Sequence, residues 1–301
     1  MSGPSTAIIG LGAMGMGMAR NILAAGLPLK GYDLSGPARD RFAGLGGSAC
    51  DSAAGAADGC DLLILMVVNA VQARAALFDT GAAAALAPGA TVMLSSTVAP
   101  ADARALAADL AATGVTLLDA PVSGGQVGAE AGTLTVMAAG AAAAFDRAAP
   151  VLEAIAKTVH RLGDTPGLGA TYKTVHQLAA GVHLVAAAEV VALGTRAGCD
   201  PETLLSIISG AAGQSWMFDD RAPRMIMDDP PVTSTVEIFL KDLGLVLETG
   251  RDTATPLPLA AAAYQMLTAA GGLGHGQADD SAVIRAYQAL TGTGPATTGK
   301  D

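Results

Sequence analysis

Two short stretches carry groups suited to chemistry. In GATYKTVHQL, residues 169–178, a lysine, a histidine and a glutamine (Lys173, His176 and Gln177) head a long run of alanine, valine and leucine. Their spacing puts all three on one face of a helix. Apolar helices rarely keep such groups unless the groups have work to do there. The second stretch, GLGAMG, sets Gly10, Gly12 and Gly15 in a GxGxxG pattern around Leu11, Ala13 and Met14. That spacing, between a strand and a helix, gives a tight turn at the first glycine, close backbone approach to a pyrophosphate at the second, and close helix packing at the third. The exposed N–H groups of the helix start then hold the anion. Asp33 follows at the end of the next apolar stretch, LKGYD, where an acid binds the ribose hydroxyls of NAD. Leu34 and Ser35 come next, and the first basic residue beyond is Arg39, expected on the following helix. With no arginine beside Asp33 to receive the extra phosphate of NADP, the pattern favours NAD.

These groups need elements to hold them. TAIIG, LKGYD, DLLILMVV, ATVMLSST, VTLLDAPV and TLTVMAAG read as six buried strands, separated by alanine-rich helical segments such as PADARALAADLAATG. Strand and helix in regular alternation predict an α/β fold, a doubly wound parallel sheet of Rossmann type. Its ligands would lie beyond the carboxyl ends of the strands, where Asn69, the run Ser95-Ser96-Thr97 and the run Asp119 to Gly125 are found. Beyond about residue 165 the strand signals stop, and the chain reads as one long helix leading into an all-α C-terminal domain. The expected division is 1–165 for nucleotide binding and 166–301 for a helical substrate and dimerisation domain. The tail TGTGPATTGKD is small and polar and is expected to fray.

Composition excludes several other classes. Hydrophobic residues make up 51% and charged residues 15%, which suits a globular chain, and the formal net charge of -10 argues against a nucleic-acid surface. Cys50, Cys60 and Cys199 form no CxxC pair, and their odd number suits free thiols in a reducing cytoplasm. The four histidines show no metal-ligand spacing, so no metal is expected. The apolar start lacks basic residues and is broken by glycines, unlike a signal peptide. The long stretch LAAGVHLVAAAEVVALG carries His183 and Glu189, which fits a buried helix better than a membrane span. Apolar faces in such a helical domain are often buried in a homodimer or homotetramer. Trp216, Phe218 and Phe239 read equally as a pocket wall or as ordinary core.

GLGAMG, DAPVSGGQVGAEAGTLTVMAAG, GLGATYK and KDLGL, in this order and spacing, resemble the β-hydroxyacid dehydrogenase family, which includes 3-hydroxyisobutyrate dehydrogenase and tartronate semialdehyde reductase. The resemblance runs from about residue 6 to 290. It implies that Ser123, Gly124 and Gly125 form the loop that holds a substrate carboxylate, since glycine lets backbone N–H groups approach an anion closely. It implies that Thr97 lies near the nicotinamide, that Lys241 reaches the bound cofactor, and that Lys173 is the catalytic lysine. Loss of hydride from an alcohol carbon needs the hydroxyl proton removed in the same step, and a lysine can act there as general base. Partial burial and a positively charged nicotinamide would both depress its pKa.

Many relatives carry asparagines three and four positions after this lysine, where His176 and Gln177 stand here. KTVHQL, AAGQSWMFDDR and DDSAVIRAY together resemble the L-threonate dehydrogenase branch, which oxidises a four-carbon polyhydroxy acid with NAD. That resemblance implies that His176 and Gln177 read the additional hydroxyls. The rival expectations are 3-hydroxyisobutyrate oxidation, tartronate semialdehyde reduction and, from another class, a non-catalytic NAD(H)-binding scaffold. The substrate segments lack the clustered arginines that a phosphosugar would need.

Overall fold

Strands covered on both faces need no alternation, and the sheet of this protein shows why its strands read as continuous apolar runs. In the computed structural model, which describes residues 3–292, six strands form one parallel sheet: β1 (Thr6–Ile9), β2 (Leu29–Tyr32), β3 (Ser48–Ala49), β4 (Leu62–Leu65), β5 (Thr91–Leu94) and β6 (Thr116–Asp119). The tail from residue 293 onward lies outside the described residues. Every residue of β1, β4 and β5 is buried. One apolar layer against the sheet includes Ile8, Met18, Ile22, Ile64 and Phe145; the other includes Ile9, Leu63, Leu65, Leu77 and Val92. The order is β3-β2-β1-β4-β5-β6, so the chain runs outward from β1 and then returns to β4 at its other side. The reversal opens a crevice at the carboxyl ends of β1 and β4, where open sheets of this kind bind ligands.

One strand differs from the sequence reading. TLTVMAAG does not continue the parallel series; its Leu134–Ala138 core belongs to a second, three-stranded sheet. There β7 (Val122–Ser123) pairs antiparallel with β8 (Leu134–Ala138), and β8 pairs parallel with β9 (Ala156–Arg161). The apolar pattern of β8 looks the same in either sheet, and its first partner is a strand of only two residues inside the DAPVSGG loop. β9 has no residue in the buried class, and so gave little apolar signal.

The helix Ala13–Ala24 after β1 is locked to the helix Gly125–Ala131 that follows the DAPVSGG loop. A Cβ on Gly17 would lie 2.8 Å from the backbone of Ala129, so glycine lets the two helices approach. Asn21 Nδ2 donates to the Ala129 carbonyl at 2.7 Å. The glycine loop and the DAPVSGG loop are therefore held by one packed pair of helices.

The chain divides into two compact units, 1–173 and 174–301. The 29-residue helix Leu168–Arg196 begins in the first and continues through the second. It is long and apolar enough to cross a membrane by length and composition alone. Leu184, Ala188 and Val191 on this helix are instead buried in the apolar cluster of the helical unit. Phe218 and Phe239 belong to the same cluster, while Trp216 is half exposed with the Arg221 guanidinium over its ring.

The helical unit also encloses a charge pair. Arg221 donates from Nε and Nη2 to the two carboxylate oxygens of Asp280, at 2.7 and 3.1 Å, and both residues are buried. Burial pushes the Asp280 carboxyl up to about 6, against the pull of Arg221. Because this folded pKa lies above the ordinary 3.8, the stability contributed by the group is full below about pH 4 and is lost as pH rises through about 6. Asp280→Asn is expected to remove that part of the pH dependence in urea unfolding. Arg221→Met leaves the carboxylate buried without this partner and is expected to cost about 3–5 kcal/mol. An unchanged urea midpoint in Arg221→Met would contradict this reading.

Candidate active site

The glycine loop leaves β1 at Gly10, whose φ of 96° lies in the left-handed region. A Cβ there would collide with the Met66 carbonyl, and one on Gly15 would collide with the Gly10 carbonyl, so both glycines are required by packing. Gly12 differs. A Cβ on it would meet nothing within 4 Å, so its lack of a side chain serves no contact within the protein. Gly12 is also the residue preceding the helix Ala13–Ala24, beside that helix's first N–H groups. This is the open cradle that a dinucleotide pyrophosphate needs.

Asp33 stands at the end of β2 and turns back to the glycine loop. Its Oδ2 accepts from the Leu11 N–H at 2.7 Å and its Oδ1 from the Ser35 N–H at 2.8 Å. Each carboxylate oxygen retains a second lone pair, so these bonds orient the group and leave acceptor capacity for ribose hydroxyls. Arg39 lies in the helix Gly36–Gly44, as expected, but its side chain folds back. Its Nη1 donates to the carbonyls of Asp33 and Leu34 at 2.6 and 3.3 Å, and its guanidinium lies 5.7 Å from the Tyr32 ring centroid.

The ends of β4 and β5 are tied by Ser96, whose hydroxyl accepts from Val67 N–H at 2.9 Å and donates to the Leu65 carbonyl at 3.3 Å. Asn69, just beyond β4, caps the helix Ala70–Arg74 by accepting from Gln72 N–H at 2.9 Å. Its amide nitrogen is not used in that cap. Thr97 is half-buried beyond β5. After β6 the chain enters β7 at Val122 and Ser123, and Gly124 and Gly125 follow with φ of 129° and 61°. Successive residues in this region are readily tolerated only for glycine.

One residue of this motif carries a structural role that its place at a strand end does not announce. Asp119, the last residue of β6, is buried, and its Oδ2 accepts from Gly167 N–H at 2.7 Å and from Ala170 N–H at 2.9 Å. These are amides at the start of the long helix, whose first turn lacks intrahelical partners for its N–H groups. Gly169 permits the approach: a Cβ there would lie 2.6 Å from the Asp119 carbonyl oxygen. Burial raises the Asp119 pKa, opposed by the hydrogen bonds from Ala170, Gly167 and Gly169. Lys173, buried, follows Ala170 by three residues, so the carboxylate that ends β6 fixes the turn presenting the lysine. The signal available in the sequence was an acid at a strand end, which reads as readily as a turn residue.

Thus the first unit holds Gly10 to Gly15, Asp33, Asn69, Thr97, Ser123 to Gly125 and Lys173, with the loop residues at the carboxyl ends of its strands. His176, Gln177 and Lys241 belong to the second unit. On the long helix, Lys173, His176 and Gln177 share a face, one turn apart. Gln177 is buried and donates from Nε2 to Asp242 Oδ2 at 2.5 Å, while its Oε1 lies 3.0 Å from His176 Nδ1. Lys241 Nζ pairs with Asp242 Oδ1 at 2.8 Å. Asp242 is buried, although adjacent Lys and Asp on a helix would ordinarily suggest a solvated face.

Comparison with known proteins agrees with this geometry. A family model described as the NAD binding domain of 6-phosphogluconate dehydrogenase matches residues 5–163, and one described as NAD-binding of NADP-dependent 3-hydroxyisobutyrate dehydrogenase matches residues 167–287. The chain belongs to the β-hydroxyacid dehydrogenase family. Within this family it is 48% identical to the L-threonate dehydrogenase of Cupriavidus necator, over 94% of this chain and 96% of the relative. It is 48% identical to the L-threonate dehydrogenase of Escherichia coli K12, over 94% and 95% of the two chains. A solved structure of 3-hydroxyisobutyrate dehydrogenase from Salmonella typhimurium matches with a TM-score of 0.89 and 48% identity, covering 93% of this chain and 98% of the other. The protein is an oxidoreductase acting on a CH–OH group with an NAD(P)-binding domain.

The Asp119 clasp yields a prediction. Asp119→Ala orphans two buried N–H groups and is expected to lower stability by about 1–3 kcal/mol in urea unfolding. Turnover at saturating substrate should fall with it, because the turn that presents Lys173 loses its anchor. Full stability and full turnover in this variant would show that the clasp positions nothing.

Proposed function

We propose that this family member is an NAD-dependent L-threonate dehydrogenase, or a dehydrogenase of a close four-carbon acid. The observation that carries the reading is near full-length similarity, at 44–48% identity, to several relatives named L-threonate dehydrogenase. His176 and Gln177 at the third and fourth positions after Lys173 support it.

Ser123, Gly124 and Gly125 bind the substrate carboxylate through a hydroxyl and backbone N–H groups. Lys173 takes the proton of the hydroxyl being oxidised and returns one in the reverse direction. His176 and Gln177 face the remaining hydroxyls. Gly10 to Gly15 bind the pyrophosphate, and Asn69, Thr97 and Lys241 contact the cofactor toward its nicotinamide end. When bound, the nicotinamide cofactor supplies the hydride acceptor. NAD is favoured over NADP because the Asp33 carboxylate stands where a 2′-phosphate would bring like charge. Arg39 does not reverse this, since its Nη1 is engaged by two backbone carbonyls. Division near residue 165 separates a cofactor domain from a helical substrate domain that joins copies into a homodimer or homotetramer, in the cytoplasm.

The second reading is a 3-hydroxyisobutyrate enzyme, favoured by the name of the Salmonella structure. NADH formation at mildly alkaline pH separates the two, using L-threonate, D-threonate, the erythronates, 3-hydroxyisobutyrate and glycerate, with NADP in parallel. Turnover confined to one four-carbon acid, with NAD preferred, is expected. Preferential turnover of 3-hydroxyisobutyrate or glycerate would overturn the proposal.

A further inference from the structure

The turn after β2 is held from both edges of one peptide. A peptide unit is planar, so the carbonyl of Leu34 and the N–H of Ser35 are its two opposite edges. The Ser35 N–H donates to Asp33 Oδ1 at 2.8 Å, and the Leu34 carbonyl accepts from Arg39 Nη1 at 3.3 Å. The same Nη1 donates to the Asp33 carbonyl at 2.6 Å. One guanidinium nitrogen therefore holds two successive peptides, and the second of these orients the Asp33 carboxylate. Leu34 is 88% exposed, so its own side chain adds no packing that would hold the turn. Arg39 is itself braced. Its guanidinium lies 5.7 Å from the ring centroid of Tyr32, which packs against the apolar layer containing Ile9 and Leu63.

We infer that Arg39 is a positioning residue for cofactor selection. It acts through the peptide joining Leu34 and Ser35 to keep Asp33 Oδ1 bound. The carboxylate is then fixed at both oxygens, since Oδ2 is held by the Leu11 N–H at 2.7 Å. A carboxylate fixed in this way receives the ribose hydroxyls of NAD with little freedom left to lose on binding. It also stands against a 2′-phosphate that a swinging side chain could avoid. The inference rests on the NAD reading of Asp33 and adds to it a residue six positions on.

A basic residue just past this strand ordinarily has the opposite role, receiving the 2′-phosphate of NADP. That role needs the guanidinium turned outward to an anion. Here it is turned back on the peptide oxygens of the turn and on Tyr32. The two roles differ in which cofactor loses affinity when Arg39 is replaced.

The test is the dissociation constants of NADH and NADPH, followed by nicotinamide fluorescence without substrate. The proteins compared are wild type, Arg39→Gln, Asp33→Ala and the double variant. Wild type is expected to bind NADH more tightly than NADPH. Arg39→Gln should weaken NADH about 10-fold, the worth of one hydrogen bond to a charged group, and weaken NADPH less. In the Asp33→Ala background the same change should cost NADH little more, because residues acting through one contact are not additive. A loss of NADPH affinity equal to or greater than that of NADH would overturn the inference. So would an equal NADH loss in both backgrounds, the mark of a brace that does not act through Asp33. Preference of wild type for NADPH removes the NAD reading and this inference with it. Preference for NADH that Arg39→Gln leaves unchanged removes the inference alone.

Discussion

Hydride transfer requires a proton donor or acceptor held in place, and in the proposed mechanism a single buried carboxylate anchors the turn that carries it. Asp119 ends β6 and caps the first turn of the long helix. The residue that begins the DAPVSGG loop thereby also anchors the helix carrying Lys173. A strand end and a helix start are rigid relative to one another when a charged acceptor satisfies amides that would otherwise lack partners. The lysine needs only the next turn to reach its place.

The same arrangement recurs on the cofactor side. Gly17 and Asn21 bind the helix after the glycine loop to the helix after the Ser-Gly-Gly loop. Asp33 fixes the glycine loop through Leu11. Each group assigned to a ligand in the proposed function is thus supported by a group, often in the same motif, that faces the protein. This is the condition for catalysis by orientation, in which small displacements are costly.

Much of this was legible in the sequence, and the exceptions have physical causes. The parallel strands were readable because burial on both faces leaves continuous apolar runs, as in LLIL of β4. The glycine loop was readable because two of its glycines are dictated by backbone collisions and the third by open space. β3, two exposed residues at the sheet edge, has no such pattern. β8 could not be assigned to its sheet, since a buried strand does not declare its partners. Asp119 and Asp242 were visible as residues but not as devices. A capping acid and a buried acid are defined by distant partners, 48 to 65 positions away.

The Lys173→Ala variant, assayed with NAD and L-threonate alongside NADH binding, tests the central claim most directly. The account predicts a loss of about 10²–10⁴ in kcat, the usual worth of a positioned general base, with NADH affinity unchanged. Full turnover with unchanged NADH binding would contradict it.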